Sequence, residues 1–468
     1  LRRFREQSFA FYCFSRELLR PSSELSLQQH NSLMSPSAGA LARPLKYFAV
    51  NPQGTTVELM MYPQNTTLFD AARQAFEGWT DPETGLQVLK LRPHNMAPVD
   101  EEGNPVTLYT NYHQRACFVD GGRRVMLRGR KRGTGAGGLL DLTTGEMTRP
   151  FPKGYFPAEV NDKGNCVLLR GRQGERTEFV LWDIATGEPI FHYLLPEGWV
   201  ANEGHILSDG KRIIVQQYTG KYYDEKVHSQ FKLLSPDGSC ETILDADGFF
   251  CNHIQSCPTD PELIAYDRWP TPLQHVEVAI HMRTLDGSFH EPLKQLPGTV
   301  RCGPMHGGQR DHYVWTPDGN RIASYLNVAD SKSNDHFDFQ WWISALDWRT
   351  GEDLCAEYPA ERWGCNFQVS ADSKYIVTAG GREFQCIYLV DIEGLRDGWN
   401  ERVLCTYPHS EEDGHNHGPF HMPFALPDGS GVIFTAGWPG PEAGVYLVEW
   451  PADIACDPSL LGAAAMSA

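Results

Sequence analysis

The chain has 468 residues, 41% of them hydrophobic and 21% charged, with a mean hydropathy of -0.41. This suits a soluble globular protein with room for two or three ordinary domains or one large repeat fold, and it argues against intrinsic disorder and a pure helical bundle. Against 41 Lys+Arg stand 59 Asp+Glu, a formal charge of -18, so bulk binding to nucleic acid or to an anionic membrane is not expected, and an anionic substrate needs a local cation such as a metal or an arginine.

No run approaches the ~18 consecutive apolar residues of a membrane span, and the opening LRRFREQSFAFYCFSRELLR carries charge through its apolar part, unlike a secretory signal. Residues 1–77 are expected to be an N-terminal extension, partly disordered or peripheral. Within it SPSAGALARP reads as a loop and FDAARQAFEGW as a short helix, with Met34 or Met61 as alternative starts.

Residues 78–452 are organised by a repeat. Seven segments share one pattern, an apolar run, a turn containing Asp and a second apolar run: ACFVDGGRRVML, AEVNDKGNCVLL, HILSDGKRIIV, SCPTDPELIAY, VWTPDGNRIASYL, QVSADSKYIVTA and FALPDGSGVIFTA. Their turn aspartates, Asp120, Asp162, Asp209, Asp260, Asp318, Asp372 and Asp428, are spaced by 42, 47, 51, 58, 54 and 56 residues, the period of a four-stranded propeller blade with loop insertions. Six units continue into a second hairpin: LLDLTTGE, LWDIATGE, LLSPDGS, RTLDGS, LDWRTGE and LVDIEG. Their Asp-Gly and Thr-Gly turns supply the positive φ of short hairpins.

The seventh unit reaches YLVEW (446–450) and stops, whereas DPETGLQVLKL (81–91) is a Thr-Gly turn plus strand with no unit before it. The expected fold is therefore an all-β, seven-bladed β-propeller closed by this N-terminal strand, which removes both exposed edges. Residues 453–468 form a C-terminal tail. Twelve cysteines are scattered singly with no CxxC pair, which points to reduced thiols and a cytoplasmic protein.

The innermost strands of a propeller face a common axis, so positions in register in different blades meet in space. Six or seven residues before the turn aspartates stand His113, His253, His312 and His421, four of fourteen positions sampled. The segment EEDGHNHGPFHMPF adds His415 and His417 beside His421. Imidazoles at this density suit a divalent metal such as Mn, Fe, Ni or Zn, a solvated polar loop being the alternative. The same register leaves His253 and His113 both open as a general base, with Tyr112 as a neighbouring candidate. RGRKRGTGAGG reads as a hairpin loop because no helix follows it, and neither a GxSxG elbow nor an HExxH helix is present.

The ordered segments WTDPETGLQVLKL, NYHQRACFVDGGRRVML, LLPEGWV, NHIQSCPTD, DHYVWTPDG and HMPFALPDGSGVIFTAGWPGPEAGVYLVEW resemble the oligogalacturonate lyase family, cytoplasmic seven-bladed propeller enzymes of pectin degradation. The resemblance spans most of residues 78–450. It implies a divalent metal, usually manganese, on the uronate carboxylate, and a histidine that removes the C5 proton before β-elimination. By position, His253 matches the base, and His312 and His421 match metal ligands. Pro419 stands where the second histidine of the family's His-Pro-His falls, so His417, Asn416 or His415 takes that place. The family's substrate-neutralising arginine falls near His228, and its His-Glu-Gly-Pro reads Asp267 to Pro270. The resemblance thus implies a metal-assisted uronide lyase acting on an anionic oligosaccharide. The competing expectation is a non-catalytic propeller that binds protein or carbohydrate through its rim.

Overall fold

The computed structural model describes residues 45–50, 56–61, 66–99, 103, 105–112, 114–129, 137–161, 163, 165–221, 226–270, 279–293, 308–329, 339–359, 366–380, 385–407, 422–436 and 443–454. Seven antiparallel sheets follow one another around a ring, which makes the chain a seven-bladed β-propeller. Blade 4 shows the plan. Its inner strand Phe249–Cys257 pairs with Asp260–Pro270, which pairs with Ala279–Thr284, which pairs with His290–Pro292. Blade 3 (200–247), blade 5 (308–357) and the others repeat it.

The turns form because their aspartates bond their own backbone. Asp209 Oδ1 accepts from the Lys211 N–H at 2.6 Å and Asp318 Oδ1 from the Asn320 N–H at 3.0 Å, the short side chain doing locally what a ladder would otherwise do. The outer hairpins of blades 1, 2 and 5 use Asp-x-x-Thr-Gly in the same way, as in Asp183 accepting from the Ala185 and Thr186 N–H groups. RGRKRGTGAGG joins the antiparallel strands Arg124–Gly129 and Gly138–Asp141; its residues 130–136 lie outside the described residues, as do SPSAGALARP and the tail from 455.

Ring closure uses the expected strand. Gln87–Leu91 pairs antiparallel with Gly444–Glu449, Leu89 opposite Leu447 and Val88 opposite Val448. Its turn has the chemistry of the other outer hairpins: Asp81 Oδ1 accepts from the Glu83 and Thr84 N–H groups, and Gly85 takes φ +76°, open to glycine without strain. The second oxygen of Asp81 accepts from the Thr406 N–H of blade 6 at 3.2 Å, and the Thr84 hydroxyl donates to the Leu404 carbonyl at 2.8 Å. The closing strand is thereby tied to two blades at once.

The helix read in FDAARQAFEGW spans Leu68–Ala75, with Thr67 as N-cap accepting from the Asp70 N–H. Although it precedes residue 78, it packs into the ring. Phe69, Ala72 and Phe76, spaced for one helical face, join the cluster containing Leu89 and Leu447. Two of the helix's otherwise unpaired N–H groups are satisfied by blade 7, Leu68 donating to Asp428 Oδ2 at 2.7 Å and Phe69 to the Ser430 hydroxyl at 3.1 Å. Strands Leu45–Val50 and Thr56–Met61 form a two-stranded sheet of their own. The eight described cysteines are all free thiols.

Blade 4 carries a histidine whose burial has a measurable consequence. His281 stacks on Tyr266, ring centroids 5.7 Å apart, with His290 at 5.6 Å. Burial first, then the neighbouring charges of Arg268 and His290, lowers its pKa to about 4. As pH falls below the ~6.5 of a free imidazole, the unfolded chain takes up a proton that the folded chain refuses. Stability is therefore lost between pH 6.5 and 4, on the order of 1 kcal/mol after allowance for partial exposure. His281→Phe keeps the ring and is expected to lose less stability than wild type between pH 7 and 4.5 in urea titrations. Equal losses would contradict this assignment.

Candidate functional site

The inner strands of blades 2 to 5 each contain a bulge, with register breaks at Pro157/Glu159, Ala201/Glu203, Asn252/Gln255 and Asp311/Val314. In blades 4 and 5 the bulge contains a histidine in the left-handed region, His253 at φ +55° and His312 at φ +46°. That conformation costs a non-glycine residue on the order of 1 kcal/mol, and such outliers gather where a side chain must be aimed. Here two are aimed at one place. The His253 and His312 rings lie 5.4 Å apart between centroids.

A third ring reaches them from blade 1. Leu108–Tyr109 and Phe118–Val119 both pair with Arg124–Gly129, while residues 110–112 and 114–117 lie outside these strands. This excursion carries Tyr112, whose ring stacks on His253 at 5.8 Å and lies 6.2 Å from His312. The Asn111 carboxamide oxygen holds it in place, accepting from the Tyr112 N–H at 2.9 Å and from Arg128 Nη1 at 3.1 Å.

His253 is the best-defined group of the three. Its Nδ1 lies 2.5 Å from Oδ2 of Asp267, a fully buried carboxylate on the neighbouring strand. An ionised carboxylate only accepts, so Nδ1 carries a proton, and in the neutral imidazole Nε2 then keeps its lone pair. Nε2 in turn faces the Tyr112 hydroxyl at 3.3 Å and the Asn252 amide nitrogen at 3.2 Å. The buried Tyr313 hydroxyl donates to the His253 carbonyl oxygen. A carboxylate-oriented imidazole whose Nε2 lies beside a phenol can abstract a proton and return one.

Of the six histidines singled out from the sequence, the structure describes two, and it brings them together. His113, His415, His417 and His421 lie outside the described residues, as do Asn416 and Pro419. Among the described residues no three His, Cys, Asp or Glu side chains converge at metal-binding spacing, so His312 is the one expected ligand with a defined position. His228, where the resembling family has its arginine, is held between two carboxylates, Asp247 at 2.7 Å and Asp245 at 3.2 Å.

Asp267 received no role in the sequence analysis, and counting from the turn does not single it out: the ladder pairs it with Asn252, and only the bulge that follows brings the His253 ring onto it.

No protein-family model matches the chain, and no curated protein matches it in sequence. Among solved structures its fold is similar to an oligogalacturonate lyase in complex with manganese, at 19% identity over 81% of this chain and 97% of that one, with a TM-score of 0.59. It is also similar to the oligogalacturonate lyase of Vibrio parahaemolyticus, at 17% identity over the same shares, with a TM-score of 0.62. At these identities the likeness is one of fold.

Proposed function

We propose that the chain is a uronide lyase that cleaves uronic-acid-containing oligosaccharides by β-elimination, with His253 as general base. The observation that carries this reading is the buried Asp267–His253 pair, set beside the Tyr112 and His312 rings in a propeller similar in fold to the oligogalacturonate lyases. His253 Nε2 takes the proton from C5. The C–H electron pair becomes the C4–C5 double bond as the C4–O bond breaks, and the proton ends on the departing oxygen. Asp267 keeps the imidazole in the reactive tautomer and stabilises the imidazolium formed. Tyr112, hydrogen-bonded to Nε2, is the group placed to hand a proton to the leaving group.

Removing a proton next to a carboxylate requires the developing enolate charge to be stabilised. A divalent metal, manganese first, held by His312 with His421, His417 or His415, supplies that positive charge when bound.

Incubation with a panel of uronic-acid oligosaccharides is expected to give the ultraviolet absorbance of an unsaturated product. Elemental analysis should find about one metal per chain, falling in His312→Ala. If no member of the panel is cleaved by metal-replete protein, the lyase reading fails. Oligosaccharide binding without cleavage would establish the non-catalytic module instead, the reading favoured by His228 standing where the resembling family has its arginine.

A further inference from the structure

We infer that Arg115 and Glu203 are positioning residues that hold His253 by clamping the Ile254 peptide from both sides. Ile254 follows His253 inside the same bulge, where the register passes directly from Asn252 opposite Asp267 to Gln255 opposite Ala265. Its peptide groups therefore need partners from outside the ladder. Glu203 of blade 3 accepts from the Ile254 N–H at 3.1 Å, and Arg115 of the blade 1 excursion donates from Nη1 to the Ile254 carbonyl at 3.1 Å. Arg115 Nη2 closes the loop by donating to the same Glu203 Oε2 at 2.8 Å.

The choice of charged groups is informative. Arg115 and Glu203 are 1% and 0% exposed, and a buried ion pair is a poor way to gain stability compared with apolar residues of equal volume. What an apolar pair could not do is satisfy both peptide groups of a bulge. The excursion treats the second histidine bulge alike: Gln114 Nε2 donates at 3.0 Å to the carbonyl of Tyr313, the residue after His312, and Gln255 Nε2 donates to it at 2.6 Å. Tyr112, Gln114 and Arg115 thus come from one segment and contact, respectively, the His253 ring and the peptide following each left-handed histidine. The pair is further braced by Glu159, 4.0 Å from Arg115, and by His205, whose Nδ1 is 3.1 Å from Glu159 and whose Nε2 is 3.0 Å from the Ser256 hydroxyl.

The catalytic part of this inference rests on His253 being the base, so its test uses readouts that do not depend on lyase activity. In the full-length protein, the Nδ1–H proton of His253 bonded to Asp267 gives a downfield resonance, assigned by its loss in His253→Gln. In Arg115→Met and Glu203→Gln this resonance is expected to move or vanish, and amide exchange in the peptide spanning 249–257 to quicken by about ten-fold or more. With a cleaved uronide, kcat should fall by roughly 10- to 100-fold while KM stays within about threefold, and Arg115→Lys, which keeps one donor, should recover part of the loss. Ser256→Ala, elsewhere in the same network, should leave the resonance in place. An unchanged resonance and unchanged exchange in folded Glu203→Gln would overturn the clamp, even if Arg115→Met fails to fold. A moved resonance in a protein that cleaves no uronide would keep the clamp and sink the lyase reading; cleavage with an unmoved resonance would do the reverse.

Discussion

Replacing His253 with alanine is expected to lower the turnover of uronide cleavage by on the order of 10²-fold or more, the range for losing a general base, while metal content is unchanged. Asp267→Asn is expected to approach the same loss. Its carboxamide can donate to Nδ1, which would turn the imidazole into the tautomer whose Nε2 carries the proton and cannot accept another. The backbone provides a control. At φ +55° glycine is at ease and alanine is not, so His253→Gly should be as inactive as His253→Ala but melt at a higher temperature. The measurements are kcat, KM, metal content and melting temperature for the three variants. A His253→Ala protein that keeps its rate and loses metal would make His253 a ligand and send the search for the base to His113 or Tyr112.

Cutting the closing strand is expected to have the largest effect on stability. Val88, Leu89 and Leu91 are buried, and Leu89 packs in the cluster that includes Phe69, Ala72 and Leu447. Leu89→Ala should cost about 2–5 kcal/mol, the transfer free energy of the side chain plus the cavity left behind. Removing residues 81–91 should do much more, because it strips Gly444–Glu449 of a partner, releases Thr406 and Leu404 from Asp81 and Thr84, and leaves an unpaired edge open to aggregation. Urea unfolding of the point variant and the solubility of the shortened protein measure these effects. A shortened chain with the wild-type unfolding midpoint would show that the ring does not depend on this strand.

The propeller was legible in the amino-acid sequence because its signals are local. A turn aspartate bonds an N–H two residues on, as Asp209 does with Lys211, and a Thr-Gly pair sets its own φ, so seven turns and one displaced turn at residue 81 could be read without knowing what lay beside them. The helix at Leu68–Ala75 was visible for the same reason, from the spacing of Phe69, Ala72 and Phe76. What the local pattern did not disclose is that this helix is bolted to Asp428 and Ser430, some 360 residues away in sequence.

At the site the division is sharper. Counting back from the turn aspartates was enough to put His253 and His312 in one register, and their rings do lie 5.4 Å apart. The count carried no sign of the bulges, because one extra residue in a strand changes no residue type, and so it could not say which way either ring turns. Nor could it select Asp267 from the other carboxylates, or show that Tyr112 meets His253 across 141 residues and Arg115 meets Ile254 across 139. The sequence by itself determined the blades, their number and how the ring closes, since turn chemistry acts over two to five residues. The partners of His253 were decided only by tertiary structure, because they come from three blades whose meeting depends on the packing of the whole ring.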